Sequence, residues 1–357
     1  MDALTVAHWR MHNLRLLGES LEAPDDVVGW LGAVQSQDYA PAKWSIARRT
    51  NDACDAALDQ AFADGTILRT HVLRPTWHFV LPTDIRWMLE LTAPRVHIMN
   101  SHQYRKLGLD AAVLEKCTSL LVDALRGGNR LTRKELAGML TSAGVAIHGF
   151  RLAYVLMNAE LNAVICSGPL IGKQHSYALL EERAPQARSL SYAESLAELT
   201  LRYFTGHGPA TAKDFRWWSS LTLAAIKEGI EMVGSRLECE NIDGVHYWHV
   251  SSDLRGEVDC PTVHLLQGYD EYIVGYSESK YVLDVSGEAR ARSGSGTVFN
   301  GVVFLDGQVA GTGSALSKRS RLLSRWLSSL HSTTLKPGPL KPLRASSDAF
   351  WASPPPW

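Results

Sequence analysis

Between His71 and Val80 the chain reads His-Val-Leu-Arg-Pro-Thr-Trp-His-Phe-Val, with a polar residue at every second position from Arg74. In an extended strand that period places Arg74, Thr76 and His78 on one face, where a guanidinium, a hydroxyl and an imidazole suit contact with a phosphate or a base. A strand whose polar face meets solvent has the same spacing. Other chemical signals are weaker. Gly168-Pro-Leu-Ile-Gly172-Lys173-Gln174 is one residue short of a phosphate loop and lacks its magnesium-holding Ser/Thr, so it reads as a turn. His246 and His249 lie three apart in an alternating stretch, which sends their rings to opposite faces and disfavours a metal. Ser293-Gly-Ser-Gly-Thr297 reads as a flexible loop before it reads as a phosphate cradle.

The elements that would carry such residues repeat. Leu121–Leu136 and Thr200–Phe215 align at an offset of 79 residues: an apolar helix, Gly127 against Gly206, then Thr132 with Glu135 against Thr211 with Asp214. A threonine followed three residues later by a carboxylate predicts an N-cap and capping box, hence helix, turn, helix. A third amphipathic stretch and a two-stranded hairpin follow each. The N-terminal part ends alike, with a helix over 53–62, a turn at Asp64-Gly65 and strands to Val80. Three helices and a hairpin are the order of a winged helix, a unit that most often binds DNA. Beyond residue 255 the pattern turns to strands, with Asp306-Gly307 between apolar runs as a hairpin signal. The expected fold is mainly α with β wings (α+β). Its units are a first winged helix over 1–110, a second over 111–190, a third over 191–255, a β-rich element over 256–330 and an irregular Pro/Ser-rich tail over 331–357.

Three stretches in this order resemble one family: Val34-Gln35-Ser36-Gln37-Asp38-Tyr39 with Lys43-Trp44, Arg69-Thr-His71 through Arg74-Pro-Thr76-Trp-His78, and Tyr269-Asp270-Glu271-Tyr272 with 302–311. They resemble the winged-helix DNA glycosylases of helix-turn-helix family 42 related to AlkZ and, more distantly, YcaQ, over about residues 1–320. The resemblance implies excision of bulky alkylated purines, including unhooking of interstrand crosslinks left by genotoxic natural products, as repair or self-resistance. It implies Gln35 and Gln37 as the catalytic pair, with Ser36 where the family carries an apolar residue. It implies lesion or DNA contacts from Lys43, Arg69, His71, Arg74, Thr76 and His78, and a DNA-probing hairpin at Asp306-Gly307. Residues i and i+2 of an extended segment point the same way, so the two glutamines could converge on one water. An amide can polarise that water but cannot take its proton near neutrality. The limitation favours a base that is already cationic, such as N7-alkylguanine or N3-alkyladenine, whose departure needs little acid catalysis. Asp38 is the alternative base, and a solvated or helix-capping role the alternative for the whole Gln-Ser-Gln run.

Composition bounds the partners. At 357 residues, 45% hydrophobic and 20% charged, the chain has an ordinary globular make-up, and its five scattered cysteines fit neither a disulfide framework nor a zinc site. A soluble, cytoplasmic monomer without metal, organic cofactor or membrane contact is expected. The net charge of −1 averages unlike parts. Residues 1–110 carry 11 basic and 13 acidic residues (−2), 111–190 carry 9 and 6 (+3), 191–285 carry 7 and 15 (−8), and 286–357 carry 9 and 3 (+6). Double-stranded DNA is therefore expected on the second unit and on the C-terminal element, through Arg290, Arg292, Lys318, Arg319 and Arg321. A non-catalytic winged-helix regulator is the competing class, though no heptad zipper or effector module accompanies the units.

Overall fold

The computed structural model describes residues 1–51, 53–251, 262–287 and 301–312. One order of elements recurs three times. The first set is α2 (Pro24–Leu31), β1 (Val34–Gln35), α3 (Tyr39–Ala47), α4 (Asp55–Asp64), β2 (Leu68–His71) and β3 (Trp77–Val80), preceded by α1 (Ala3–Asn13). The second follows the long helix α5 (Ile85–Lys106): α6 (Ala111–Leu125), β4 (Leu131–Thr132), α7 (Arg133–Ser142), α8 (Arg151–Leu161), β5 (Ile165–Ile171) and β6 (Gln174–Leu179). After the short α9 (Leu180–Arg183), the third comprises α10 (Tyr192–Gly206), α11 (Ala212–Ser219), α12 (Leu223–Val233), β7 (Glu238–Ile242) and β8 (Val245–His249). The small antiparallel sheets have matching orders, β1-β3-β2 and β4-β6-β5, and in the third set a single bridge from Ala210 to Trp248 stands where the short strand would be.

The local expectations hold where the cause is local. Thr132 and Glu135 form a reciprocal capping box at α7, and Thr211 and Asp214 do so at α11. Residues 168–174 close the β5–β6 hairpin, with Gly172 in the left-handed region its turn requires. The strand expected over 71–80 is interrupted. Leu73 has φ +65°, Pro75 can donate no hydrogen bond, and 72–76 fold into a turn between β2 and β3. Arg74 and Thr76 therefore sit on that turn, and only His78 lies in a strand.

Packing crosses the expected unit boundaries. The second set has its own core, built on Leu121, Leu125, Leu136, Leu140 and Leu156. The first and third sets share one, in which Leu31, Phe79, Trp87, Leu199, Tyr203 and Phe215 pack together. Residues from the C-terminal segment, among them Leu266, Tyr272 and Phe304, join that shared core. This segment carries β9 (Val263–Gln267), α13 (Glu271–Val274), β10 (Gly301–Leu305) and β11 (Gln308–Thr312), with sheet order β11-β10-β9. It is bolted to α3: Trp44 donates to the Leu265 carbonyl, and fully buried Arg49 forms a two-pronged ion pair with Asp270, at 2.7 and 2.8 Å. Helix α1 bridges the first and third sets: Val6 and Ala7 meet Ile242 and Tyr247, while the carbonyl of its last residue, Asn13, accepts from Trp30 of α2 at 2.6 Å.

Candidate active site

Strand β1 ends at Gln35, and residues 37 and 38 bend into α3. The extended geometry that would align the two glutamines stops at the first of them. Gln35 is 5% exposed; Gln37 and Asp38 are exposed with side chains that make no hydrogen bond, and Asp38 precedes α3 without a side-chain cap. Gln35 is held twice. Its backbone N–H donates to Glu271 Oε1 at 2.8 Å, and its side-chain Oε1 accepts from Arg74 Nη2 at 2.8 Å.

Sheet register supplies the rest. Gln35 is the cross-strand partner of His78, and His78 of Thr70, so the three form one buried polar row across β1, β3 and β2. His78 is fully buried, with Nδ1 2.9 Å from the Thr76 carbonyl. Burial foremost, and the neighbouring Arg74 charge, push its imidazole down to about 3 against the opposing pull of Glu271 and the Thr76 carbonyl. From Gln35 the row leads outward: the Arg74 guanidinium carbon lies 5.8 Å from the ring centroid of Trp217, which is 51% exposed and anchored through its N–H to the Val274 carbonyl.

Glu271, from the first turn of α13, is the central anion. Besides the Gln35 amide it accepts from Trp218 Nε1 at 2.9 Å, and His207 Nε2 lies 3.2 Å from Oε2. Burial opposes its charge, but the His207 bond and charge, the Arg74 guanidinium and the Gln35 N–H together hold the carboxyl down at about 2. The site thus contains a buried carboxylate with a guanidinium charge nearby, the guanidinium itself being bonded to Gln35.

Other expected contact residues serve the scaffold. Lys43 is buried between Asp55 and Asp59, at 2.5 and 2.7 Å, so its ammonium is already neutralised. Arg69 is buried and donates through Nε and Nη2 to the Ser36 carbonyl, holding the middle of the Gln-Ser-Gln run from beneath. His71 pairs with buried Glu160 of α8, which also accepts from Trp77, and so joins the first set to the second. The turn at Asp306-Gly307 does form, with both residues at positive φ. Its glycine packs inward: Gly307 is buried, its carbonyl accepts from Tyr272, and a Cβ there would lie 2.9 Å from the Tyr272 hydroxyl and 3.0 Å from Met11 Sδ. Asp306 is exposed and accepts from the Thr262 amide. Arg290, Arg292, Lys318, Arg319 and Arg321 lie outside the described residues. Among the described residues no group of three His, Cys, Asp or Glu could hold a metal ion, and no helix is long and apolar enough to cross a membrane.

The sequence matches the family described as DNA glycosylase AlkZ-like over residues 28–340. This chain belongs to the AlkZ-like DNA glycosylases. Its family consists of enzymes acting on N-glycosyl bonds, and the matched span contains Gln35, His78 and Glu271. One curated relative, the interstrand DNA cross-link repair glycosylase of Streptomyces sahachiroi, is 24% identical over 316 residues, 85% of each chain. The solved Streptomyces sahachiroi DNA glycosylase AlkZ shares the fold with a TM-score of 0.74, covering 87% of each chain at 24% identity. In this AlkZ-like chain three site residues escaped the sequence reading in their present roles. Thr70 stands in the motif without a role of its own, Arg69 is expected at DNA and instead holds the Ser36 carbonyl, and Glu271 lies in a stretch that reads equally well as a hydrogen-bonding corner. The cross-strand register, which needs all three strands, is what joins Thr70 to His78 and Gln35.

The histidine row has a consequence for stability. The folded state holds His78 near 3 against the ordinary 6.5 of a free imidazole, so the unfolded chain binds more protons between these values. Stability is expected to be full above pH 6.5 and to fall as pH drops toward 3. Urea midpoints measured from pH 7 to 4 should decline, and more shallowly in His78→Phe; equal slopes in the two proteins would contradict the assignment.

Proposed function

We propose that this protein is a monofunctional DNA glycosylase that hydrolyses the N-glycosidic bond of cationic alkylated purines, N7-alkylguanine and N3-alkyladenine, in duplex DNA. The substrates extend to adducts that link the two strands, in keeping with the name of the Streptomyces sahachiroi relative. The observation that carries the reading is the doubly held Gln35 in a buried polar row beside an ionised carboxylate. An amide so fixed can orient water and a carboxylate can steady positive charge on the sugar, but the amide cannot protonate a neutral leaving base. A base that departs as a neutral molecule from a cationic adduct needs no such acid. Gln37, exposed at the bend, is the second water-orienting amide, with Asp38 behind it. Lys43 is engaged by two aspartates and does not serve as a Schiff-base nucleophile.

The three repeated sets are three tandem winged helices, and the cationic second set and C-terminal element, including Arg290, Arg292, Lys318, Arg319 and Arg321, meet the phosphates. The protein acts as a cytoplasmic monomer. The test is release of 7-methylguanine from methylated duplex DNA by the purified protein, followed chromatographically, with borohydride added to trap any imine. Free base without a trapped protein–DNA adduct is expected, independent of flanking sequence. Sequence-specific retention of DNA without base release would instead mark a binding protein.

A further inference from the structure

His78 has a tautomer set by its surroundings. A backbone carbonyl can only accept, so the Thr76 oxygen 2.9 Å away places the proton on Nδ1. In the neutral ring Nε2 then carries a bare lone pair. That atom is buried without a protein hydrogen-bond partner, as is Thr70 Oγ1 on the next strand. Both belong to the row that carries Gln35, and cross-strand partners on one sheet face stand about 5 Å apart at Cβ. Buried polar atoms left unpaired cost free energy, which a polar occupant of the row would recover.

We propose that His78 is a catalytic residue of the glycosylase reaction, its Nε2 accepting a hydrogen bond from the attacking water and then that water's proton. The inference rests on the function proposed above. It supplies what Gln35 lacks, since an amide orients water but takes no proton. In the step, the water oxygen bonds to the anomeric carbon as the glycosidic C–N bond breaks. The electron pair of that bond stays on the purine nitrogen and cancels the positive charge of the adduct. The proton lost by the water passes to Nε2 and then to solvent. The low basicity of the ring keeps it neutral, with its lone pair available, throughout the neutral range. Water that has begun to bond to an oxocarbenium-like carbon is acidic enough to protonate even such a base.

The experiment uses the full-length protein in excess over duplex DNA containing 7-methylguanine, so that one turnover is followed. His78→Phe keeps the ring's volume, and His78→Ala leaves room for added imidazole. Both are expected to slow base release by about 10²-fold while lesion-DNA affinity stays within about twofold, and imidazole is expected to restore His78→Ala. Undiminished release by His78→Phe overturns the proposal. So does a loss in His78→Ala that imidazole does not repair, which marks His78 as structural; near-ultraviolet circular dichroism reports separately whether each variant is folded. A wild-type protein that releases no base overturns the proposed function itself.

Discussion

Glu271→Ala is expected to destabilise the protein by about 3–5 kcal/mol, at about 1–3 kcal/mol for each buried donor left without its acceptor. The carboxylate accepts from the Gln35 amide and from Trp218, and it meets His207, so its loss leaves donors from three separate elements buried and unpaired. It also leaves Arg74 without the anion that offsets its charge. Glu271→Gln keeps the shape and one acceptor oxygen, but its amide N–H₂ faces other donors, so an intermediate loss of about 1–3 kcal/mol follows. Urea unfolding at neutral pH measures both. The pH dependence identifies the cause. Glu271 is held near 2 in the folded protein against the ordinary 4.5 of a free glutamate, so its contribution is complete above pH 4.5 and disappears as pH falls toward 2. Both variants should lose that acid limb and keep the loss between pH 6.5 and 4 that His78 causes. A Glu271→Ala protein as stable as the wild type would remove the carboxylate from its central place.

How much of this was legible beforehand depends on the separation of the partners. The capping boxes at Thr132 and Thr211 lie within one helical turn, and the turn at Asp306-Gly307 is set by two adjacent residues, so residue type and spacing reveal them. Pro75 stood in plain view, yet a period-two reading carried a strand straight through it. Lys43 read as a free cation because its neutralising aspartates are 12 and 16 residues away on another helix. Glu271 is 236 residues from the amide it receives, and only the packing of α13 against the first set brings them together. The resemblance located the Gln-Ser-Gln run and His78, whereas only the register adds Thr70 and sets the three in one row.

Gln35→Ala and Gln37→Ala are expected to separate the two glutamines that the motif treats alike. Gln35 is buried and bonded to Arg74, so Gln35→Ala strands a guanidinium N–H and should lower stability by about 1–3 kcal/mol. Gln37 is exposed and unbonded, so Gln37→Ala should change stability by no more than about 0.5 kcal/mol. Single-turnover base release should fall in both, by about 10²–10³-fold for Gln35 as for the loss of one preorganised polar group. If both amides orient the same water, removing the second after the first costs less than it does alone, because the water is already misplaced. The double variant should therefore be slower than either single one, yet faster than the product of the two losses. Independent effects that multiply would assign the glutamines to different atoms of the substrate. Full activity in Gln37→Ala would leave Gln35, His78 and Thr70, the row that the three strands align, as the whole of the water-holding apparatus.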